Sequence, residues 1–120
     1  MWTRDTQKNI GVLLQGGLGN QLFGWAAGKS LALSLGLDLE LYTKNLSQRG
    51  FALEQLDPEA LVLSQSPNRS LYQNRSTFTE RFFHFDERYT KIDKPILLNG
   101  YFQSWRYFFE NHEEIKKIIY

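Results

Sequence analysis

The chain has 120 residues, a net charge of +1 and no cysteine. That length suffices for one small domain with a modest core. Lys and Arg are balanced by Asp and Glu along the chain, which argues against a basic nucleic-acid face, and the absence of cysteine excludes a disulfide framework or a thiolate metal site. Residues 1–8 read as a loose polar lead without the apolar centre of a signal peptide. No run reaches the ~18 apolar residues of a membrane span. Aromatics make up 15% of the chain, which suits a packed domain or a sugar-binding surface.

Residues 9–36 predict strand, glycine turn and helix. Ile10, Val12, Leu13 and Leu14 form the apolar run of a buried parallel strand. Gly16, Gly17 and Gly19 let the backbone turn sharply and approach a ligand. Asn20 stands where a helix N-cap is expected, and Phe23, Ala27, Leu31 and Leu35 form an apolar stripe down to a C-terminal Gly36. Such a turn aims backbone N–H groups and a helix N-terminus at the mouth of a sheet, an arrangement suited to an anion such as a nucleotide phosphate. Neither standard nucleotide motif is complete. The dinucleotide pattern fails because Leu22 occupies its third glycine position. Gly28-Lys29-Ser30 looks like the end of a P-loop, but Phe23 stands where the first glycine belongs. A tight turn that binds nothing is the alternative.

Residues 37–42 alternate with period 2 and predict a second strand, giving a βαβ unit. Asp38 and Glu40 share one face of it. An acid there can hold a ribose hydroxyl, and the pair mimics an Asp-x-Asp metal motif; the competing reading is a solvated strand face. Asp57-Pro58-Glu59 predicts a helix start. Residues 60–63 fit a brief helix or strand equally well. Residues 64–80, rich in Ser, Asn, Gln and Arg, read as a long exposed loop.

Residues 82–86 form an aromatic cluster in which His84 reads as a packing residue, because no oriented partner for catalysis stands near it. Ile96 to Asn99 predicts a third strand ended by Gly100. Ser104 is the expected N-cap of a final helix carrying Tyr107, Phe108, Ile115, Ile118 and Ile119. That helix is expected to lie back on strands 9–15 and 96–99 or to seek another chain. Most aromatics between Tyr101 and Phe109 are expected in the core, whereas Gln103, Ser104 and Arg106 lie beyond a strand's carboxyl end, where open α/β sheets bind ligands.

The segment GGLGNQLFGWAAGKSLA, residues 16–32, resembles the opening motif of glycosyltransferase family 11, the α-1,2-fucosyltransferases. Members begin with a strand followed by GGLGNQ, then Leu or Met, Phe and an Ala-Ala-Gly helix. A second block, residues 98–108, is similar to the family's GYFQS-x-x-YF segment. The similarity covers nearly the whole chain and is weaker between about 45 and 80; Gly24 departs from it, since relatives usually carry Gln there.

The resemblance implies an α/β fold, a partial Rossmann-like lobe with a small parallel sheet and flanking helices. It would be the N-terminal lobe of a two-lobed GT-B enzyme of glycan biosynthesis. Relatives transfer L-fucose from GDP-β-L-fucose to a galactose 2-hydroxyl with inversion and without an obligatory metal or other cofactor. Gly16, Gly17, Leu18, Gly19, Asn20 and Gln21 are the implied donor contacts, and Gln103, Ser104 and Arg106 further substrate contacts. The family's His-x-Arg-Arg-Gly-Asp diphosphate grip does not follow His84 or His112, so the C-terminal donor-binding lobe is expected to be missing or supplied by a partner. No residue is a credible catalytic base on motif grounds. The chain alone is therefore expected to be inactive, and a non-catalytic nucleotide- or glycan-binding module is the alternative. Expected partners are a nucleotide sugar and an acceptor glycan, not nucleic acid, with self-association as one way to cover a half-built sheet. The expected setting is cytoplasmic, with peripheral attachment to a membrane surface as an option.

Overall fold

The structure is a computed structural model of the chain and describes residues 9–44, 46, 51, 53, 55–64, 76–81 and 84–119. The expected polar lead at 1–8, most of the expected loop at 64–80 and the Phe82-Phe83 pair fall outside the described residues.

The first unit has the predicted order: β1 (Asn9–Leu13), α1 (Leu18–Leu35) and β2 (Asp38–Tyr42). Then come β3 (Leu61–Leu63), β4 (Ser76–Thr79), β5 (Ile96–Asn99) and α2 (His112–Ile119). Short 3-10 helices span Glu87–Lys91 and Trp105–Asn111. The five strands form one all-parallel sheet in the order β3-β2-β1-β5-β4. The fold is α/β and Rossmann-like in character. After β1 the chain steps outward through β2 and β3, then returns on the other side. The strand order therefore changes direction between β1 and β5.

Alternation along the strands sorts the core. Ile10, Val12, Leu14, Leu39, Leu41 and Leu98 belong to the main cluster, which also takes in Trp25, Ala27 and Leu31 of α1. Leu13, Tyr42, Leu63 and Leu97 form a second cluster, at positions of opposite strand parity. Gly28 sets how closely α1 lies on the sheet. A Cβ there would stand 2.3 Å from Val12 Cγ2 and 3.0 Å from Leu39 Cδ1. The mid-helix Gly28-Lys29-Ser30 triplet is thus a packing feature.

Several expectations are corrected. β4 lies inside the expected loop. Its alternating Thr77, Phe78 and Thr79 pair with Leu97, Leu98 and Asn99, and only Phe78 is buried. An edge strand held by ladder bonds to its neighbour needs little apolar content. The ambiguous stretch before residue 64 is strand β3, which closes the opposite edge. α1 begins at Leu18 with Gly17 as its N-cap, so Asn20 lies inside the first turn and caps nothing. Its far end matches expectation: Gly36 and Leu37 donate to the carbonyls of Leu33 and Ala32 at 3.4 and 2.9 Å. The single stripe proves too narrow, because α1 is buried on several faces at once.

Asp57 starts no helix. It sits in a turn in which Ala60 N–H donates to its carbonyl at 3.1 Å. Its carboxylate instead receives Trp25 Nε1 at 2.9 Å and pairs with Lys29 at 3.2 Å. Glu40 is not on a solvated face either. It is fully buried and accepts from Asn9 Nδ2 at 2.6 Å and Tyr42 O–H at 2.7 Å. His84 is exposed rather than packed. Ser104 caps the 3-10 helix at 105–111, and α2 follows that segment, packing on it and on α1 instead of on the strands. Among the described residues no helix is long and apolar enough to cross a membrane.

Candidate functional site

The carboxyl ends of β1, β5 and β4 open into a recess of about 280 Å³. β1 delivers Gln15, β5 delivers Asn99 and β4 delivers Glu80; the turn after β5 adds Gly100, Tyr101 and Gln103. Gln15 Nε2 donates to Asn99 Oδ1 at 3.1 Å, tying the two central strands together at their ends. Gln103 Nε2 donates to Asn20 Oδ1, joining the turn after β5 to the first turn of α1. The two sequence blocks of the resemblance, far apart in the chain, meet at this bond.

The glycine turn is shaped from within. Gly16 has φ +77°, and a Cβ there would fall 2.4 Å from Asn20 Nδ2. The Asn20 amide therefore lies over the turn, and only glycine fits beneath it. Gln21 is buried, and its Nε2 holds the Gly16 carbonyl at 3.0 Å. Its backbone N–H closes the helix on Gly17 O at 2.9 Å. The N–H groups of Leu18, Gly19 and Asn20 precede the first intrahelical bond, and no side chain caps them. They carry the positive end of the helix dipole. The turn itself does not line the recess, which it meets through the Asn20–Gln103 bond, and Gly19 borders an apolar hollow with Phe23, Phe108 and Ile115.

Glu80 organises the opposite wall. Its Oε1 accepts from the backbone N–H of both Tyr101 and Phe102 at 3.0 Å. Its Oε2 accepts from Tyr107 O–H at 2.8 Å, and the same hydroxyl accepts from Asp86 N–H at 2.8 Å. Burial pushes the Tyr107 phenol well above its usual range, opposed by the bond from Asp86 N–H and reinforced by the Glu80 and Asp86 carboxylates, so it remains a proton donor to Glu80. The carboxylate holds a strained turn: Phe102 is fully buried at φ +53°, and a Cβ on Gly100 would stand 2.6 Å from Glu80 Cβ. Gln103 follows directly, so its reach to Asn20 depends on this clamp.

The structure separates the other expected contacts. Leu18 and Gly19 are exposed at the helix start. Ser104 Oγ accepts from Arg106 N–H at 3.3 Å as a helix cap. Arg106 turns away from Gln103 and lies over the Phe85 ring, 4.5 Å from its centroid, in a neighbouring recess. Gln15, Asn99 and Glu80 escaped the sequence reading. Gln15 and Asn99 carried a usable signal, each being the first polar residue after the apolar run of a buried strand. Glu80 had none, since its partners lie more than twenty residues away.

Chemically, the recess is lined by amides and hydrogen-bonded main chain, which can bind hydroxyls and anionic oxygens. Among the described residues no three acidic or histidine side chains gather to hold a metal. Comparison with protein-family models, with curated proteins and with solved structures finds no match.

Proposed function

We propose that this chain is the N-terminal Rossmann-like lobe of a glycosyltransferase of the α-1,2-fucosyltransferase type, acting on GDP-fucose and a galactose-bearing glycan. The observation that carries the reading is the meeting of its two motif blocks. Asn20, in GGLGNQ, hydrogen-bonds Gln103, in GYFQS, at the carboxyl edge of the sheet where the strand order reverses. Side-chain amides at the carboxyl ends of strands are groups that recognition of sugar hydroxyls uses.

In this reading the turn at Gly16–Gly17 and the free N–H groups of Leu18 and Gly19 face the nucleotide sugar. The amides of Gln15, Asn20 and Gln103 orient hydroxyls of donor or acceptor. Glu80 is a positioning residue: both its oxygens accept hydrogen bonds that shape the wall, which leaves it poorly suited to deprotonate an acceptor hydroxyl. The inverting transfer also needs a grip on the departing diphosphate, and the family's Arg-Arg motif does not occur in these 120 residues. Losing one such stabilising group costs on the order of 10²–10³ in rate. The chain by itself is therefore expected to bind and not to turn over. The occupied state of Glu80 equally favours a purely binding module for nucleotides or glycans, the second reading.

Calorimetry with GDP-fucose, GDP and a β-galactoside tests both. Asn20→Ala and Gln103→Ala should each weaken the binding that wild type displays by about five- to tenfold, with melting temperatures little changed. Absence of binding to all three compounds, or variants indistinguishable from wild type, would refute a site here. Fucose transfer by the isolated chain at the rate of longer enzymes would overturn the expected inactivity.

A further inference from the structure

A second recess, of about 520 Å³, adjoins the amide recess and shares one residue with it, Arg81. Phe85 and Asp86, both buried, belong to its lining, and the 3-10 helices at 87–91 and 105–111 contribute Arg88, Lys91 and Arg106. Along the sequence these cations are scattered among acids. The fold gathers them.

Their partners differ in a telling way. Arg88 is committed: it forks onto Asp86 at 2.7 and 3.1 Å and donates to Thr79 O at 2.8 Å. That fork, aided by the Arg81 and Arg88 backbone N–H groups and opposed by burial, holds the Asp86 carboxyl at about 2. The one buried carboxylate of the recess is thus already neutralised. Arg106 and Lys91 have no carboxylate within ion-pair distance among the described residues. The Arg106 guanidinium lies over the Phe85 ring, 4.5 Å from its centroid, a cation–π contact that uses none of its N–H donors. Glu87 lines the same recess, and Glu110, four residues after Arg106, lines the cavity next to it; both are exposed and screened by water. Positive charge remains in excess.

The geometry points to an oxyanion subsite in which Arg106, with Lys91, receives a phosphoryl group of a small-molecule ligand, while Arg81, 3.8 Å from the Asp86 carboxylate, borders it. A planar guanidinium matches the spacing of phosphoryl oxygens. Because Arg81 lines both recesses, one ligand can set its hydroxyls against Gln15, Asn99 and Gln103 and its phosphoryl group against Arg106. The inference stands apart from the glycosyl-transfer reading, since it needs neither the glycine turn nor a second lobe.

The test titrates the whole chain with inorganic phosphate, pyrophosphate and galactose 1-phosphate at constant ionic strength, following amide and Arg side-chain resonances. Saturable shifts at residues 84–91 and 106, in the millimolar range or tighter, are expected. Shifts that also extend to 99–103 with galactose 1-phosphate alone would identify a sugar phosphate over a free phosphate. Arg106→Ala should weaken binding about fivefold or more. Lys91→Ala, at an exposed residue, should weaken it about twofold or more with an unchanged melt, and it serves where loss of the Phe85 stack unfolds the Arg106 variant. Lys117→Ala, far along α2, should have no effect. Failure of all three anions to saturate, or equal weakening by Lys117→Ala, would overturn the proposal.

Discussion

Replacing Glu80 by alanine should loosen the candidate site and the fold together. The side chain accepts three hydrogen bonds, from Tyr101 N–H and Phe102 N–H at 3.0 Å and from Tyr107 O–H at 2.8 Å. Hydrogen bonds to a charged group contribute about 1.5–3 kcal/mol each. They are not additive here, because all three restrain one short segment and water can reach the half-exposed carboxylate. Phe102 also loses the partner that keeps its φ at +53°, a conformation costing roughly 1–2 kcal/mol for a bulky residue. A net loss of about 3 kcal/mol is expected for Glu80→Ala, corresponding to a melting temperature lower by about 10 °C for a domain of this size. Glu80→Gln retains an oxygen for the two backbone N–H groups. Its amide nitrogen then faces a Tyr107 hydroxyl that already accepts from Asp86 N–H, so about 1–2 kcal/mol is lost. Thermal melts by circular dichroism rank the three proteins, and the side-chain amide resonances of Asn20 and Gln103 report whether the turn has moved. An alanine variant melting within about 2 °C of wild type, or alanine and glutamine variants of equal stability, would refute the clamp.

Two further outcomes follow from the packing and the charges. Gly28→Ala adds a better helix former, yet its Cβ would stand 2.3 Å from Val12 Cγ2, so the sheet contact should dominate and lower stability by about 1–3 kcal/mol in urea unfolding; a raised midpoint would contradict the close approach. Asp86 titrates at about 2, below its ordinary 3.8, chiefly because Arg88 bonds its charged form. The lower value belongs to the folded state, so this stabilisation is complete above about pH 4 and fades as the pH falls from there to about 2. Asp86→Asn should therefore be less stable than wild type at neutral pH by on the order of 1–2 kcal/mol, and the gap should narrow across that acid window. A gap of constant size would show that the carboxylate's charge contributes nothing.

The β1–turn–α1–β2 unit was legible in the sequence because its signals are local. The apolar run through Ile10 and Val12, the glycines at 16 and 17, and the closing Gly36 each act within a few residues, and β5 shows itself as an apolar run between Pro95 and Gly100. What escaped depends on partners distant in the chain. β4 is a polar four-residue strand that exists through its ladder with β5. Asp57 looked like a helix cap because its neighbours suggest one, but Trp25 and Lys29 compete for the same carboxylate from α1. Glu40 looked solvated by alternation alone, and Asn9 and Tyr42 make burial tolerable by bonding it. The sequence alone thus determined the glycine turn and the strand and helix that flank it. Only the tertiary structure decided that this turn meets Gln103, that Glu80 shapes the facing wall and that Arg106 joins Arg81 and Lys91. The reason is physical: turns and helices are specified by neighbours a few bonds away, whereas a sheet's order and the side chains collected at its edge depend on which distant strands pair.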